Sequence, residues 1–406
     1  MSRPVIYLHI GEPKCGTTYL QEIAWRNREV LREQGLELPG LRQADQFRAS
    51  QDLRGVPPQE DDPSGSWIGE WDGLVAEAMR SPSAALISQE HLCGATSEQA
   101  RRALESFGDA EIHVIITVRD FASLLPAEWQ ETVKHRNGRA WEPWLADALG
   151  SEGADSSTDR AKWFWRAHDT PAILQRWTVG VPRERVHIIT MPRSRTRPTL
   201  LWERFAEVIG IDPASVDTTT ARANATLGVV ETEMLRQLNL HLPAELPQWF
   251  YAREVKGHVA HRLLAERTPS PRPQLPLKYA DWAAERAERM VDELGRSGCH
   301  LVGDLNELRA PQFSGDSPPA VHVATDGELL DAALDTLAML LRDQYRRRKA
   351  APGHPLAAHP PQAILAAKPR LRRALRHIAA RYPMAERAAV RVRAYAARRA
   401  GNGSAQ

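Results

Sequence analysis

Short apolar runs rich in β-branched residues alternate along this chain with longer stretches whose apolar positions recur every three or four residues. Residues 5–10 (VIYLHI) form the first continuous run, the pattern of a strand buried on both faces. Residues 17–34 follow with helical spacing. The run AALIS at 84–88 is a second strand, and IHVIITV at 112–118 is the clearest of all, followed by a helix to about His135. RVHIIT at 185–190 is a further strand, with a helix expected over 200–209. Helical spacing also marks 161–177, 227–239 and 280–296. Strands separated by helices predict an α/β fold, a parallel sheet flanked by helices with helical insertions around it.

Proline divides the later chain. TPSPRPQLP at 268–276 predicts an extended loop, and APGHPLAAHPP at 351–361 predicts a linker. Charge shifts across that linker. The 406 residues balance to +2, yet residues 346–406 hold 15 Lys/Arg and one acid, Glu386, while 1–345 hold 38 bases and 50 acids. The expected organisation is a domain over 1–345 and a Pro-rich linker with a basic helical tail over 346–406. An acidic body is a poor nucleic-acid binder, so no nucleic-acid partner is expected. No run reaches the roughly 18 apolar residues of a membrane span, and the N-terminus lacks a leader pattern, which predicts a cytoplasmic chain. Cys15, Cys93 and Cys299 are too far apart for a disulfide framework or a zinc spacing, and His258/His261 lack further ligands, so no metal is expected.

The densest chemistry follows the first strand. Gly11, Pro13 and Gly16 form a turn, and a helix opens at Thr17. Such a turn aims backbone N–H groups and a positive helix end at one point, an anion site suited to phosphate or sulfate. Lys14 adds a charge, and Thr17 and Thr18 add hydroxyls. The nucleotide-triphosphatase loop places its lysine after the second glycine. Here Lys14 precedes Gly16, which argues against a kinase or ATPase and for another phosphorylated donor held on a P-loop-like fold.

The segment PKCGTTYLQ resembles the PKSGTT[YW]L[QR] signature of sulfotransferases that use 3′-phosphoadenosine 5′-phosphosulfate. The resemblance implies that Gly11, Pro13, Lys14, Cys15, Gly16, Thr17 and Thr18 hold the 5′-phosphosulfate and that the desulfated 3′,5′-bisphosphate is the product. Cys15 stands where the family has Ser; a thiol at a helix start beside Lys14 is expected to have a lowered pKa. The family's second signature is a strand-end Arg, with a Ser eight residues on, gripping the 3′-phosphate. Arg119 occupies the first place, but Ala127 the second, and Ser123 is the nearest substitute on that helix. RANATLG at 222–228 is similar to a loop in actinobacterial relatives, which makes Arg222 and Asn224 candidate donor contacts.

The family's base is a His or Glu at a strand end. Glu90 and His91 follow the second strand, Glu90 being preferred, with Lys14 stabilising the leaving phosphate. His9 reads as a buried structural residue and His168 as a helix-face residue. Six of twelve Trp fall between 129 and 177, a set that predicts helix packing with at least one ring in the acceptor pocket. The implied acceptor is a small-molecule, carbohydrate or glycolipid hydroxyl or amine, of the kind found in secondary metabolism. Leu371, Leu375 and Ile378 give the tail one apolar helical face amid arginines, the pattern of a peripheral anchor on an anionic membrane at its inner face. Two other functions fit the fold: a nucleotide-dependent phosphotransferase, disfavoured by the lysine position, and a non-catalytic nucleotide-binding adaptor, favoured by Cys15 and Ala127.

Overall fold

The computed structural model describes residues 3–58, 66–150, 159–193, 196–219, 227–268, 270–309 and 322–350. Six strands form one sheet: β1 Val5–His9, β2 Leu36–Glu37, β3 Ala84–Ser88, β4 Glu111–Val118, β5 Val186–Thr190 and β6 His300–Val302. Their order is β2-β3-β1-β4-β5-β6, and every pairing is parallel. The expected α/β architecture is therefore the observed one, with a loop after β1 of the P-loop kind.

The central strands are apolar on both sides because helices cover both faces. Ile6, Leu8, Val114, Ile115, Ile116, Ile188 and Ile189 are all buried. The helices that matter below are α1 Thr17–Arg26, α2 Gln43–Leu53, α3 Phe121–Lys134, α4 Asp159–His168, α5 Thr170–Trp177, α6 Leu200–Ile209, α7 Val229–His241 and α8 Ala280–Arg296. On one face, Leu20 and Ile23 of α1 pack with Trp202 and Phe205 of α6 and with Ile115 and Ile189 of the sheet. A π-helix, Tyr251–Leu263, follows α7.

Two expected long helices are broken. The one over 17–34 stops at Asn27, whose side-chain amide donates to Ile23 O (2.9 Å) and Asp217 O (3.0 Å) and so fixes the bend. The one over 161–177 splits at Asp169, whose carboxylate accepts from Ala172 N–H and caps α5, with Pro171 in its first turn. Strands β2 and β6, two and three residues long, had no apolar run to announce them.

The chain divides into two compact units, Met1–Val323 and a second from Ala324 onward. In the second, α9 Asp326–Ala350 has acids in its first turn and Arg347, Arg348 and Lys349 in its last, which suits the helix dipole. That helix runs through the boundary expected after residue 345. The linker and basic tail lie outside the described residues. Among the described residues no helix is long and apolar enough to cross a membrane.

Candidate anion-binding active site

The chain places β2 and β3 on one side of β1 and β4 to β6 on the other. Such a switch point opens a crevice beyond the strand ends, and in open α/β sheets ligands bind there. Three connections meet at it: residues 11–16 after β1, the short 3₁₀ turn Glu90–Gly94 after β3, and Arg119–Asp120 after β4.

The first connection is shaped by left-handed backbone. Gly11 and Gly16 both have φ of 82°, and Lys14, which has a Cβ, is held at 62°. A Cβ on Gly11 would sit 2.7 Å from Glu90, and one on Gly16 would sit 2.3 Å from Leu201 Cδ2, so both positions demand glycine for space as well as conformation. Gly16 is the N-cap of α1 and offers no side-chain cap, which leaves the first-turn N–H groups uncapped beside Thr17 and Thr18. The Glu12 and Cys15 N–H groups are occupied by Thr117 O (3.0 Å) and Glu12 O (3.3 Å). Arg119 reaches back and donates to Lys14 O at 3.2 Å, which braces the loop against the end of β4.

Lys14 Nζ lies 2.7 Å from Glu131 Oε2 on α3. Glu131 also binds Lys256 Nζ of the π-helix at 2.9 Å and His135 at 3.0 Å, with Lys134 at 3.9 Å. Burial works against the Glu131 charge, but the His135 hydrogen bond and the three lysines hold its carboxyl well below the usual range. Burial also works against the charge on Lys14, and Glu131, Glu128 and Glu90 outweigh it and raise its pKa. Lys14 is therefore a firm cation. Burial pushes the Lys134 amine down to about 8, with Lys14 and Lys256 adding to the effect against Glu131.

Behind the loop lies a buried triad. His168 is fully enclosed between Glu12 Oε2 at 3.6 Å and Glu128 Oε2 at 3.7 Å, and Thr170 Oγ1 donates to the other oxygen of Glu12. Burial alone would favour neutral imidazole, but the two carboxylates push its pKa up to about 9. This corrects the expected helix-face role of His168: it ties residue 12 of the loop to α3. Glu128 stands one helical turn before Glu131, so one helix face carries the partners of both His168 and Lys14.

Glu90 is brought to the loop, its carboxylate accepting from Gln21 Nε2 of α1 at 2.8 Å. His91 is instead turned against Gln89 Oε1 (2.9 Å) and the Phe47 ring, and burial lowers its pKa. Ser123 sits in the first turn of α3, where its N–H donates to Asp120 Oδ1 at 2.8 Å, and Ala127 lies one turn on. His9 is structural as expected, bonded to Ser88 Oγ at 2.7 Å and driven by burial to about 3. Arg222 and Asn224 lie outside the described residues.

The Cys15 thiol is a correction. Its side chain is fully buried, and burial pushes its pKa well above the ordinary value, with Glu12 adding to the effect. The loop turns this side chain inward, so nearness to a helix start does not activate it. The tryptophans mostly pack: Trp129, Trp144, Trp165 and Trp177 are buried, while Trp141 and Trp163 are half-exposed. Among the described residues no His/Cys/Asp/Glu group has the arrangement of a metal site. Sequence reasoning missed Glu12, Glu128, Glu131, Lys134 and Lys256. The one signal in the sequence was two acids three apart, Glu128 and Glu131, on a helix whose first two turns are mostly apolar.

No family model and no curated protein sequence matches the chain. Among solved structures, a sulfotransferase from Alicyclobacillus acidocaldarius is similar over 54% of this chain and 86% of its own, at 14% identity and a TM-score of 0.35.

Proposed function

We propose that this chain is a sulfotransferase that moves a sulfuryl group from 3′-phosphoadenosine 5′-phosphosulfate to an acceptor hydroxyl. The observation that carries the reading is the loop at the sheet's switch point: left-handed Gly11, Lys14 and Gly16 turn into an uncapped helix start, flanked by a permanently charged Lys14 and by Arg119. The PKCGTTYLQ resemblance gives that anion site its donor.

In this reading the 5′-phosphosulfate lies on the α1 N-terminus with Thr17 and Thr18, and Arg119 and Ser123 take the 3′-phosphate. Glu90 accepts the proton of the acceptor hydroxyl as its oxygen bonds to sulfur. The bond from sulfur to the 5′-phosphate oxygen breaks in line, and Lys14 stabilises the charge that collects on the leaving phosphate. The His91 ring is turned away toward Gln89, which favours Glu90 as base. The acceptor is a small molecule, sugar or glycolipid, and the basic tail is a peripheral contact for an anionic membrane.

Incubation with donor labelled in its sulfate and a cell extract tests the reading. Label should pass to an acceptor with wild type and fall by at least about a hundredfold with Glu90→Gln, within the range general-base catalysis contributes. Unchanged transfer by that variant removes Glu90 from the chemistry.

A further inference from the structure

Glu90 is half-buried at the switch point, and two neighbours fix it there. Its backbone lies against the donor loop, since a Cβ added at Gly11 would come within 2.7 Å of Glu90 Cα. Its carboxylate accepts from Gln21 Nε2 at 2.8 Å. Gln21 stands in the second turn of α1, the helix that opens at the loop.

The Gln21 amide has one possible orientation. Its Nε2 also lies 3.1 Å from Ser88 O, a carbonyl that can only accept, so that end of the amide is the NH2 group. Its oxygen accepts from Gln43 Nε2 of α2 at 2.8 Å. Both donors and the oxygen are thus used, on a side chain only 3% exposed. A buried amide satisfied in this way cannot turn over without leaving polar atoms unpaired. The start of α2 is itself bolted to β3: Gln46 donates to Pro39 O at 3.0 Å and Leu86 O at 3.2 Å, and its oxygen accepts from Ser88 N–H at 2.9 Å.

This chain of glutamines makes the two oxygens of Glu90 different. Oε2 is held by Gln21, whereas among the described residues Oε1 has no hydrogen-bond partner. We infer that Gln21, fixed by Gln43, is a positioning residue that ties down Glu90 Oε2 and leaves Oε1 as the oxygen that takes the acceptor proton. The role rests on the sulfotransferase reading, which supplies the reaction. The acceptor O–H bond breaks with its proton passing to Oε1. The acceptor oxygen bonds to sulfur, and the electrons of the breaking S–O bond leave on the 5′-phosphate. One helix then serves both halves of the step, because the start of α1 meets the donor and its second turn holds the base. A carboxylate free to rotate would meet the in-line alignment only part of the time.

A double-mutant cycle tests the role, read as the rate of label transfer from saturating sulfate-labelled donor to the acceptor in a cell extract. Gln21→Met keeps the side chain's length and removes its hydrogen bonds. Transfer should fall about tenfold or more, as for a hydrogen bond to a charged group, and Gln43→Leu should cost about threefold. Affinity for the desulfated 3′,5′-bisphosphate, by calorimetry, should stay within about twofold in both variants. In a Glu90→Gln background neither change should cost more than about twofold, because both act through Glu90. Gln43 is half-buried and off the α1 core, so Gln43→Leu carries the cycle by itself should Gln21→Met not fold. Equal losses with and without Glu90, a fall in bisphosphate affinity that matches the fall in rate, or unchanged transfer in the glutamine variants overturns the positioning role and leaves the sulfotransferase reading standing. Failure of wild type to transfer label overturns that reading, and the role with it.

Discussion

Replacing His168 removes a cation enclosed by two carboxylates. Taking one partner out of a buried charge cluster costs about 3–5 kcal/mol, since Glu12 and Glu128 keep their burial and lose their counter-ion. The His168 pKa gives a second, independent magnitude. Its rise from 6.5 to about 9 is a raised folded-state value, so its stabilisation is present in full below pH 6.5 and is lost as pH climbs through about 9. Each tenfold gain in proton affinity is worth about 1.4 kcal/mol, so the rise amounts to about 3 kcal/mol. Lys134 acts in an overlapping window with the opposite sign, because its pKa is lowered from 10.5 to about 8 and its penalty is relieved as pH rises between those values. A wild-type stability curve therefore mixes the two. Nitrogen-15 NMR of labelled histidine isolates His168: one imidazolium should persist at pH 8 and vanish in His168→Gln, and urea unfolding of that variant at pH 6.5 should show the loss of several kcal/mol. A His168 ring that is neutral at pH 7.5, or a variant within about 1 kcal/mol of wild type, would refute the clamp.

Three further outcomes follow from the same structure. Gly16→Ala combines a left-handed φ with a Leu201 clash and should cost about 1–3 kcal/mol by urea unfolding while abolishing anion binding at the loop. Alkylation followed by peptide mass mapping should label half-exposed Cys299 first and Cys15 slowly, and fast Cys15 labelling would mean the loop faces outward. His113, His187 and His300 form a chain of ring contacts across β4, β5 and β6 at 2.8 and 2.9 Å, and burial lowers His187 to about 4. That lowered value means stability is full above pH 6.5 and falls as pH drops toward 4, by about 1–2 kcal/mol after allowance for solvent screening. His187→Phe should remove that acid dependence in urea titrations at pH 7 and pH 4.5.

How much of this was legible depends on whether a feature is local. The strands at 84–88 and 112–118 and the helices at 200–209 and 280–296 came from periodicity alone, because each buries an unbroken apolar face. The loop came from glycine spacing and the lysine between. Asn27 ends its helix through a bond to Asp217, 190 residues away, which no window reveals. The same holds for the acids on α3. Their partners are Lys14, Lys256 and His168, so this helix face turns toward the loop and the π-helix, which only the fold reveals. Cys15 failed for a related reason: helix-start position suggested activation, and only the three-dimensional turn showed the thiol pointing inward.

The central claim is that the loop at 11–18 holds an adenosine phosphosulfate. Calorimetry with the desulfated 3′,5′-bisphosphate tests it most directly. The expected result is one site on wild type, without magnesium, weakened about tenfold or more by Lys14→Ala and by Arg119→Ala. Absence of binding to wild type, or tighter magnesium-dependent binding of ATP at the same loop, would contradict it.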